Sequence, residues 1–163
     1  MLAVLPMFHG FGLCMGIHAS IMFGAFNVLI PKFKTKTTIS YLKRGQLQTL
    51  IGVPILYEAL LRNKKFAGKN LTKVINAFVG GDYASESLIK RFNQRMEEAG
   101  SRARLYEGYG LTETVTVCTV NTHRAHKYGT VGKPIPFVSV RAFDGTKMLP
   151  PNQEGELYVC GET

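Results

Sequence analysis

No lysine, arginine, aspartate or glutamate occurs in the first thirty residues, and the 163-residue chain has no tryptophan. A charge-free opening of that length admits a membrane span, which takes about 20 consecutive apolar residues. Pro6, Gly10, Gly12, Gly16, Gly24 and Asn27 interrupt it, and no basic segment precedes it as a secretory signal requires. A buried strand, helix and strand explain the run better, so no transmembrane segment is expected. Cysteine is scarce. Cys14, Cys118 and Cys160 are odd in number and widely spaced, which argues against a disulfide framework and fits a reducing compartment. No Cys-x-x-Cys pair is present, so Cys118, His123 and His126 read as unrelated side chains near a surface loop rather than metal ligands. Internal repeats, low-complexity tracts and flexible linkers are also missing.

What is present suits one folded domain: 45% hydrophobic residues supply a sizeable core. Twenty Lys and Arg against 11 Asp and Glu give a formal charge of +9, which raises nucleic acid or an anionic membrane as a partner. The basic residues are scattered, however, in small groups such as Lys32-Lys34-Lys36 and Arg62-Lys64-Lys65. These read as solvated faces, and nothing resembles a zinc finger, a basic zipper or an aromatic-basic RNA platform. A nucleic-acid function is therefore not expected.

Periodicity and punctuation predict strands at Val4–Met7, Ala25–Ile30, Gln48–Ile51, Lys73–Val79, Ala103–Glu107 and Val115–Val120. Helices are predicted at Leu13–Phe23, from Thr37 or Thr38 to Arg44, at Pro54–Arg62, and after Ser85, where Leu88, Ile89, Phe92, Met96 and Ala99 share one face. Strand, crossover helix and strand recur, so the expected class is α/β: a mostly parallel sheet with helices on both faces. From about Val138 the helices stop. Phe137–Phe143 and Glu156–Cys160 read as strands of a separate small β unit, dividing the chain into residues 1–137 and 138–163.

Ligands of parallel sheets gather beyond the carboxyl ends of the strands. Here those ends carry His9-Gly10, Gly52-Val53, Gly80-Gly81 and Gly108-Tyr109-Gly110, which predicts one site along one edge. The densest of these stretches is Arg104-Leu105-Tyr106-Glu107-Gly108-Tyr109-Gly110-Leu111-Thr112-Glu113-Thr114. Glycines admit close backbone approach, Tyr109 offers a stacking face, Thr112 a phosphate donor and Glu113 a magnesium-seeking carboxylate. A plain glycine turn with a half-buried tyrosine fits the same residues.

The words Tyr109-Gly110-Leu111-Thr112-Glu113 resemble the signature of the adenylate-forming superfamily, which includes acyl- and aryl-CoA synthetases. Leu5 to Leu13, Val79-Gly80-Gly81, Gly129 to Pro134 and Gly155 to Gly161 resemble its other landmarks, in order and over nearly the whole chain. A full member is several times longer, so the resemblance implies a piece of a larger cytoplasmic enzyme, whose large amino-terminal domain includes a β-barrel at the place of residues 138–163. It implies that Tyr109 stacks on the adenine of ATP, with Gly80, Gly81, Gly108 and Gly110 bordering the nucleotide. Thr112 would bond the α-phosphate and Glu113 would help hold Mg. The reaction implied joins a carboxylic acid to ATP as an acyl-adenylate, releasing pyrophosphate, before CoA takes the acyl group.

His9 stands where amino-acid-activating relatives carry an aspartate, which points to fatty or aryl acids without an amino group. Asp82-Tyr83 departs from the small residue and proline of many relatives and leaves the width of the acyl pocket open. The phosphate loop, the ribose-gripping aspartate and the catalytic lysine of the family have no counterpart here, so the fragment alone is expected to be inactive. A non-catalytic adenylate or small-molecule binding module, an interaction or membrane-associated protein, and an acyl-carrier-protein ligase or peptide-synthetase adenylation domain are the alternatives.

Overall fold

The computed structural model describes residues 1–161; Glu162 and Thr163, the last two residues of the expected β unit, lie outside the described residues. The charge-free opening forms β1 (Leu2–Ala3), a π-helical stretch Phe11–His18 running into α1 (Ala19–Met22), and β2 (Val28–Leu29), which pairs parallel with β1. The order of strand, helix and strand agrees with the sequence, but the first strand is Leu2–Ala3 rather than the expected Val4–Met7, and only Val28–Leu29 of the expected Ala25–Ile30 pairs. The expected burial does not hold throughout: Phe8 is 94% and Phe23 85% exposed, and Ile21, Met22, Phe26 and Leu29 are exposed as well. With only two strands, β1 and β2 offer too little surface to cover that side, and no other described element covers it.

Next come α2 (Thr35–Lys43), β3 (Thr49–Gly52), α3 (Pro54–Leu61), β4 (Asn76–Val79), α4 (Glu86–Glu98) and β5 (Leu105–Gly110). α2 begins two residues before the expected threonine caps. Lys34 is its N-cap and makes no side-chain capping bond, while Thr38 turns its hydroxyl back onto the Lys34 carbonyl. Pro54 opens α3, where its missing N–H has no intrahelical partner to lose. The Ser85 hydroxyl caps α4 by accepting the Leu88 N–H at 3.2 Å. All five apolar positions expected on the buried face of α4 are buried.

Across β3, β4 and β5 the pairing is parallel, with Ile51, Phe78 and Tyr106 in register. β6 (Val117–Val120) and β7 (Lys133–Pro134) extend the sheet antiparallel, so the mostly parallel expectation becomes a mixed sheet in the order β3-β4-β5-β6-β7. The reason is the connection: β5 reaches β6 through the short segment 111–116, too brief for the crossover that a parallel neighbour needs. β8 (Val138–Asp144), β9 (Lys147–Met148) and β10 (Glu156–Gly161) form a separate antiparallel sheet in the order β10-β8-β9, open rather than closed into a barrel.

One apolar cluster joins β1, β2, α2, β3, α3, β4, α4 and β5. Tyr57 of α3 is buried edge-to-face on Phe92 of α4, 5.3 Å between ring centres. Its hydroxyl lies 2.7 Å from the Phe78 carbonyl and 3.1 Å from that of Leu50, fastening α3 to β3 and β4, and burial pushes the phenol pKa far up. Buried Asn93 of α4 accepts the Leu105 N–H at 2.8 Å and so fixes where β5 starts. This rigid base sets the height at which the three parallel strands release their chains.

Candidate active site

β3, β4 and β5 end side by side, and glycines follow one another across their tips. The Gly80 N–H donates to the Gly52 carbonyl at 3.3 Å, and a β-carbon on Gly80 would stand 3.0 Å from the Gly108 carbonyl oxygen. Gly81 turns the chain away from β4 in a left-handed conformation, φ +76°. The first π-helical residue, Phe11, lays its ring over both: added β-carbons would lie 3.6 Å from it at Gly80 and 3.9 Å at Gly81. At Gly10 the β-carbon position falls 1.5 Å from the Val115 carbonyl oxygen, so the His9-Gly10 turn sits directly on the loop that follows Tyr109. The His9-Gly10 turn, the glycines that end β3 and β4, and the end of β5 at Tyr109 therefore meet at one edge, although β1 stops at Ala3, well before His9, and Gly108 to Gly110 are strand rather than the expected turn.

Beyond Gly110, segment 111–116 folds into a tight loop. The Thr114 N–H donates to the Leu111 carbonyl and the Val115 N–H to that of Thr112. Thr112 and Glu113 are exposed, and Tyr109 is half-buried on β5 opposite Thr119. An exposed hydroxyl beside an exposed carboxylate fits a phosphate and its divalent cation, since both are hard oxygen groups. Gly110 is constrained by its own chain, because a β-carbon there would meet the Thr116 carbonyl oxygen at 1.8 Å. Gly108 is likewise crowded by Val117 and Thr119. The signature glycines thus answer first to the β5–β6 hairpin.

His9 is exposed, and its Nδ1 accepts the Phe11 N–H at 3.2 Å. That bond places the proton of the neutral ring on Nε2, where it can be donated to an acid. Tyr83 is 76% exposed, and the Asp82 carboxylate accepts the Tyr83 N–H at 2.7 Å. A cleft of about 430 Å³ opens beside them, along α3 and against the first turn of α4, lined by Ile55, Glu58, Arg62 and Tyr83 among others. Cys118 is buried on β6, whereas His126 lies between the rings of Tyr106 and Tyr128; the structure does not bring these two together as ligands.

Sequence reasoning passed over Glu107, which is 7% exposed and accepts the Ala84 N–H at 3.4 Å. Burial raises its carboxyl above the usual range, and the Ala84 N–H pulls the other way. The signal in the sequence was a charge at an inward position of an otherwise apolar strand. The landmark Gly129 to Pro134 is also fastened here: Thr119 donates to the Val131 carbonyl and Asn121 to that of Thr130.

A parallel core whose strands end together at glycines, beside an aromatic ring, a hydroxyl and a carboxylate, defines an α/β protein with a candidate site at the strand tips. More particularly, residues 1–163 match the model of the AMP-binding enzyme family, and the chain belongs to that family. It is 28% identical over 162 residues to luciferin 4-monooxygenase of Nipponoluciola cruciata, covering 98% of this chain and 29% of the relative. To the long-chain-fatty-acid–CoA ligase of Bacillus subtilis it is 27% identical over 163 residues, 98% of this chain and 28% of the ligase. The O-succinylbenzoate coenzyme A synthetase of Bacillus subtilis, solved with ATP and magnesium ion, superimposes with a TM-score of 0.81. That match has 23% identity and covers 98% of this chain and 32% of that one. The chain spans less than a third of the length of these relatives. No helix among the described residues is long and apolar enough to cross a membrane.

Proposed function

We propose that the protein containing this chain is an ATP-dependent acid–thiol ligase that activates a carboxylic acid as its adenylate and passes the acyl group to a thiol such as CoA. The observation that carries the reading is the meeting of the His9 turn, the Gly80-Gly81 turn and the end of β5 at Tyr109, held by the contacts of Gly10 with Val115 and of Gly80 with Gly108. Family membership and the ATP and magnesium in a solved relative support it.

In this reading Tyr109 stacks on adenine at the strand tips, and the backbone at Gly80, Gly81, Gly108 and Gly110 borders the nucleotide. The Thr112 hydroxyl donates to the α-phosphate, where charge gathers as the substrate carboxylate attacks and pyrophosphate leaves. Glu113 would hold magnesium, which when bound supplies positive charge to the phosphates. His9, with Nε2–H as donor, orients the attacking carboxylate, and a histidine rather than an acid in this turn favours acids without an ammonium. The division between residues 1–137 and 138–163 falls just after Phe137, a non-glycine residue at φ +66°, and β8 to β10 would begin the second, β unit.

Pyrophosphate exchange into ATP by the full-length protein, screened against fatty, aryl and amino acids, tests this function. Acid-dependent exchange is expected with at least one fatty or aryl acid; none with any acid would overturn it.

A further inference from the structure

Besides its backbone bonds, the loop bearing Thr112 and Glu113 is closed by one side chain that neither the sequence motif nor the proposed chemistry uses. Thr114 Oγ1 accepts the Leu111 N–H at 3.0 Å, and lies 3.0 Å from the Leu111 carbonyl oxygen and 3.1 Å from that of Thr116. One hydroxyl thus binds the entry and exit of the loop, its single proton shared between two carbonyls. It also stands 3.9 Å from the Cys118 sulfur, whose thiol lies 3.4 Å from the Tyr109 carbonyl oxygen.

Two further features show that the loop is held rather than relaxed. Val115, a β-branched residue, sits at φ +61°, a region such residues avoid, and strain of this kind persists only where surrounding contacts over-determine it. The β5–β6 pairing slips between Tyr109 and Gly110: Tyr109 faces Thr119 while Gly110 faces Val117, so Cys118 is the extra residue of a bulge. Thr114 is half-buried under the loop, and Thr112 and Glu113 project from its exposed tip.

We propose that Thr114 is a positioning residue whose hydroxyl, knotting Leu111 to Thr116 beside Cys118, fixes Thr112 and Glu113 relative to Tyr109. Without the hydroxyl the loop loses the bonds at both ends, Val115 relaxes from its left-handed conformation, and the two tip side chains lose their set distance from the stacking ring. The consequence for chemistry rests on the ligase reading given above; the consequence for loop order does not.

The test uses Thr114→Val, which keeps shape and removes the hydroxyl, and Thr114→Ser, which restores it, both in the full-length protein. Amide hydrogen exchange is measured across residues 109–118, with adenylate formation followed over a magnesium titration. Thr114→Val is expected to speed exchange in the loop about tenfold or more while the melting temperature stays nearly that of the parent, since the rest of the core is untouched. Its rate of adenylate formation should fall about ten- to a hundredfold, a misplacement effect, with a higher magnesium requirement and little change in the KM for ATP. Thr114→Ser should behave as the parent in both measurements. Unchanged loop exchange in Thr114→Val, or equal impairment of both variants, overturns the proposal. If the parent shows no acid-dependent activity, the ligase reading fails while loop exchange still decides the role of Thr114.

Discussion

Gly10 lies against Val115 so closely that a β-carbon on the first would overlap the carbonyl oxygen of the second, at 1.5 Å. One belongs to the turn that carries His9, the other to the loop that carries Thr112 and Glu113, and 104 residues of chain separate them in the sequence. The obstacle is backbone, so no side-chain rotation can relieve it. Gly10→Ala must therefore part the two turns, and should destabilise the protein by about 1–3 kcal/mol, the usual cost of overpacking. Val115→Asn should act the other way: Asn tolerates the left-handed region and Val115 is 58% exposed, so about 0.5–1 kcal/mol of strain is released for little lost burial. Urea unfolding of both variants checks the pair. A parent-like midpoint for Gly10→Ala would mean that the turns separate freely.

Glu107 should make stability fall as pH rises. Burial raises its folded pKa above the unfolded value, so the native state holds its proton more tightly than the unfolded chain does. The penalty is absent below the unfolded pKa, grows as pH climbs from there through the raised folded pKa, and is complete above it. Glu107→Gln keeps an oxygen to accept the Ala84 N–H but carries no charge. Its melting temperature should exceed that of the parent at neutral pH and approach it near pH 4, the ordinary carboxyl range of about 4.3. A gain that is largest in acid would reverse the sign of this argument.

His9 bears on the choice of acid. The Phe11 N–H holds Nδ1, leaving Nε2–H to meet a carboxylate; the turn that carries His9 has no acidic residue of its own to pair an ammonium, and in the proposed reading Glu113 on the neighbouring loop is committed to magnesium. An unpaired ammonium carried into such a site costs several kcal/mol, on the order of a thousandfold in selectivity. Pyrophosphate exchange in the full-length protein should respond to fatty or aryl acids and ignore free amino acids. Exchange stimulated best by an α-amino acid would remove His9 from that role.

Local signals made much of the fold legible. Pro54, Ser85 and the apolar stripe of α4 each act within a few residues, and α3 and α4 stand where those residues place them, whereas the first strand lies at Leu2–Ala3 and not at Val4–Met7. The antiparallel turn at β6 was less visible, because Val115 to Val120 reads as a strand in either direction and only the short loop before it decides. The exposure of Phe8, Phe23 and Phe26 was hidden for another reason: apolar composition records that a surface needs covering, and not whether the covering layer lies within the same stretch of chain. In the site, Tyr109, Thr112 and Glu113 could be read because adjacent residues carry the chemistry. Glu107, Thr114 and the Gly10–Val115 contact depend on neighbours brought together by folding, and no spacing announces them.

Tyr109 and Glu113 stand four residues apart on one hairpin and should fail in different ways when changed in the full-length protein. Tyr109→Ala removes a stacking face, and base–aromatic stacking is worth about 1–3 kcal/mol, so ATP should bind roughly ten- to a hundredfold more weakly. Glu113→Gln keeps the shape of an exposed side chain and removes its charge, so little stability is at stake. Its effect should fall on the chemical step more than on ATP binding, because charge on the α-phosphate is greatest in the transition state. Steady-state kinetics over a magnesium titration separates the two: a raised KM for ATP with Tyr109→Ala, a lowered kcat and a higher magnesium requirement with Glu113→Gln. If Glu113→Gln left the rate and its magnesium dependence unchanged, the carboxylate would be only a solvated acid at the tip of the loop, and the metal would have to be held from elsewhere in the full-length protein.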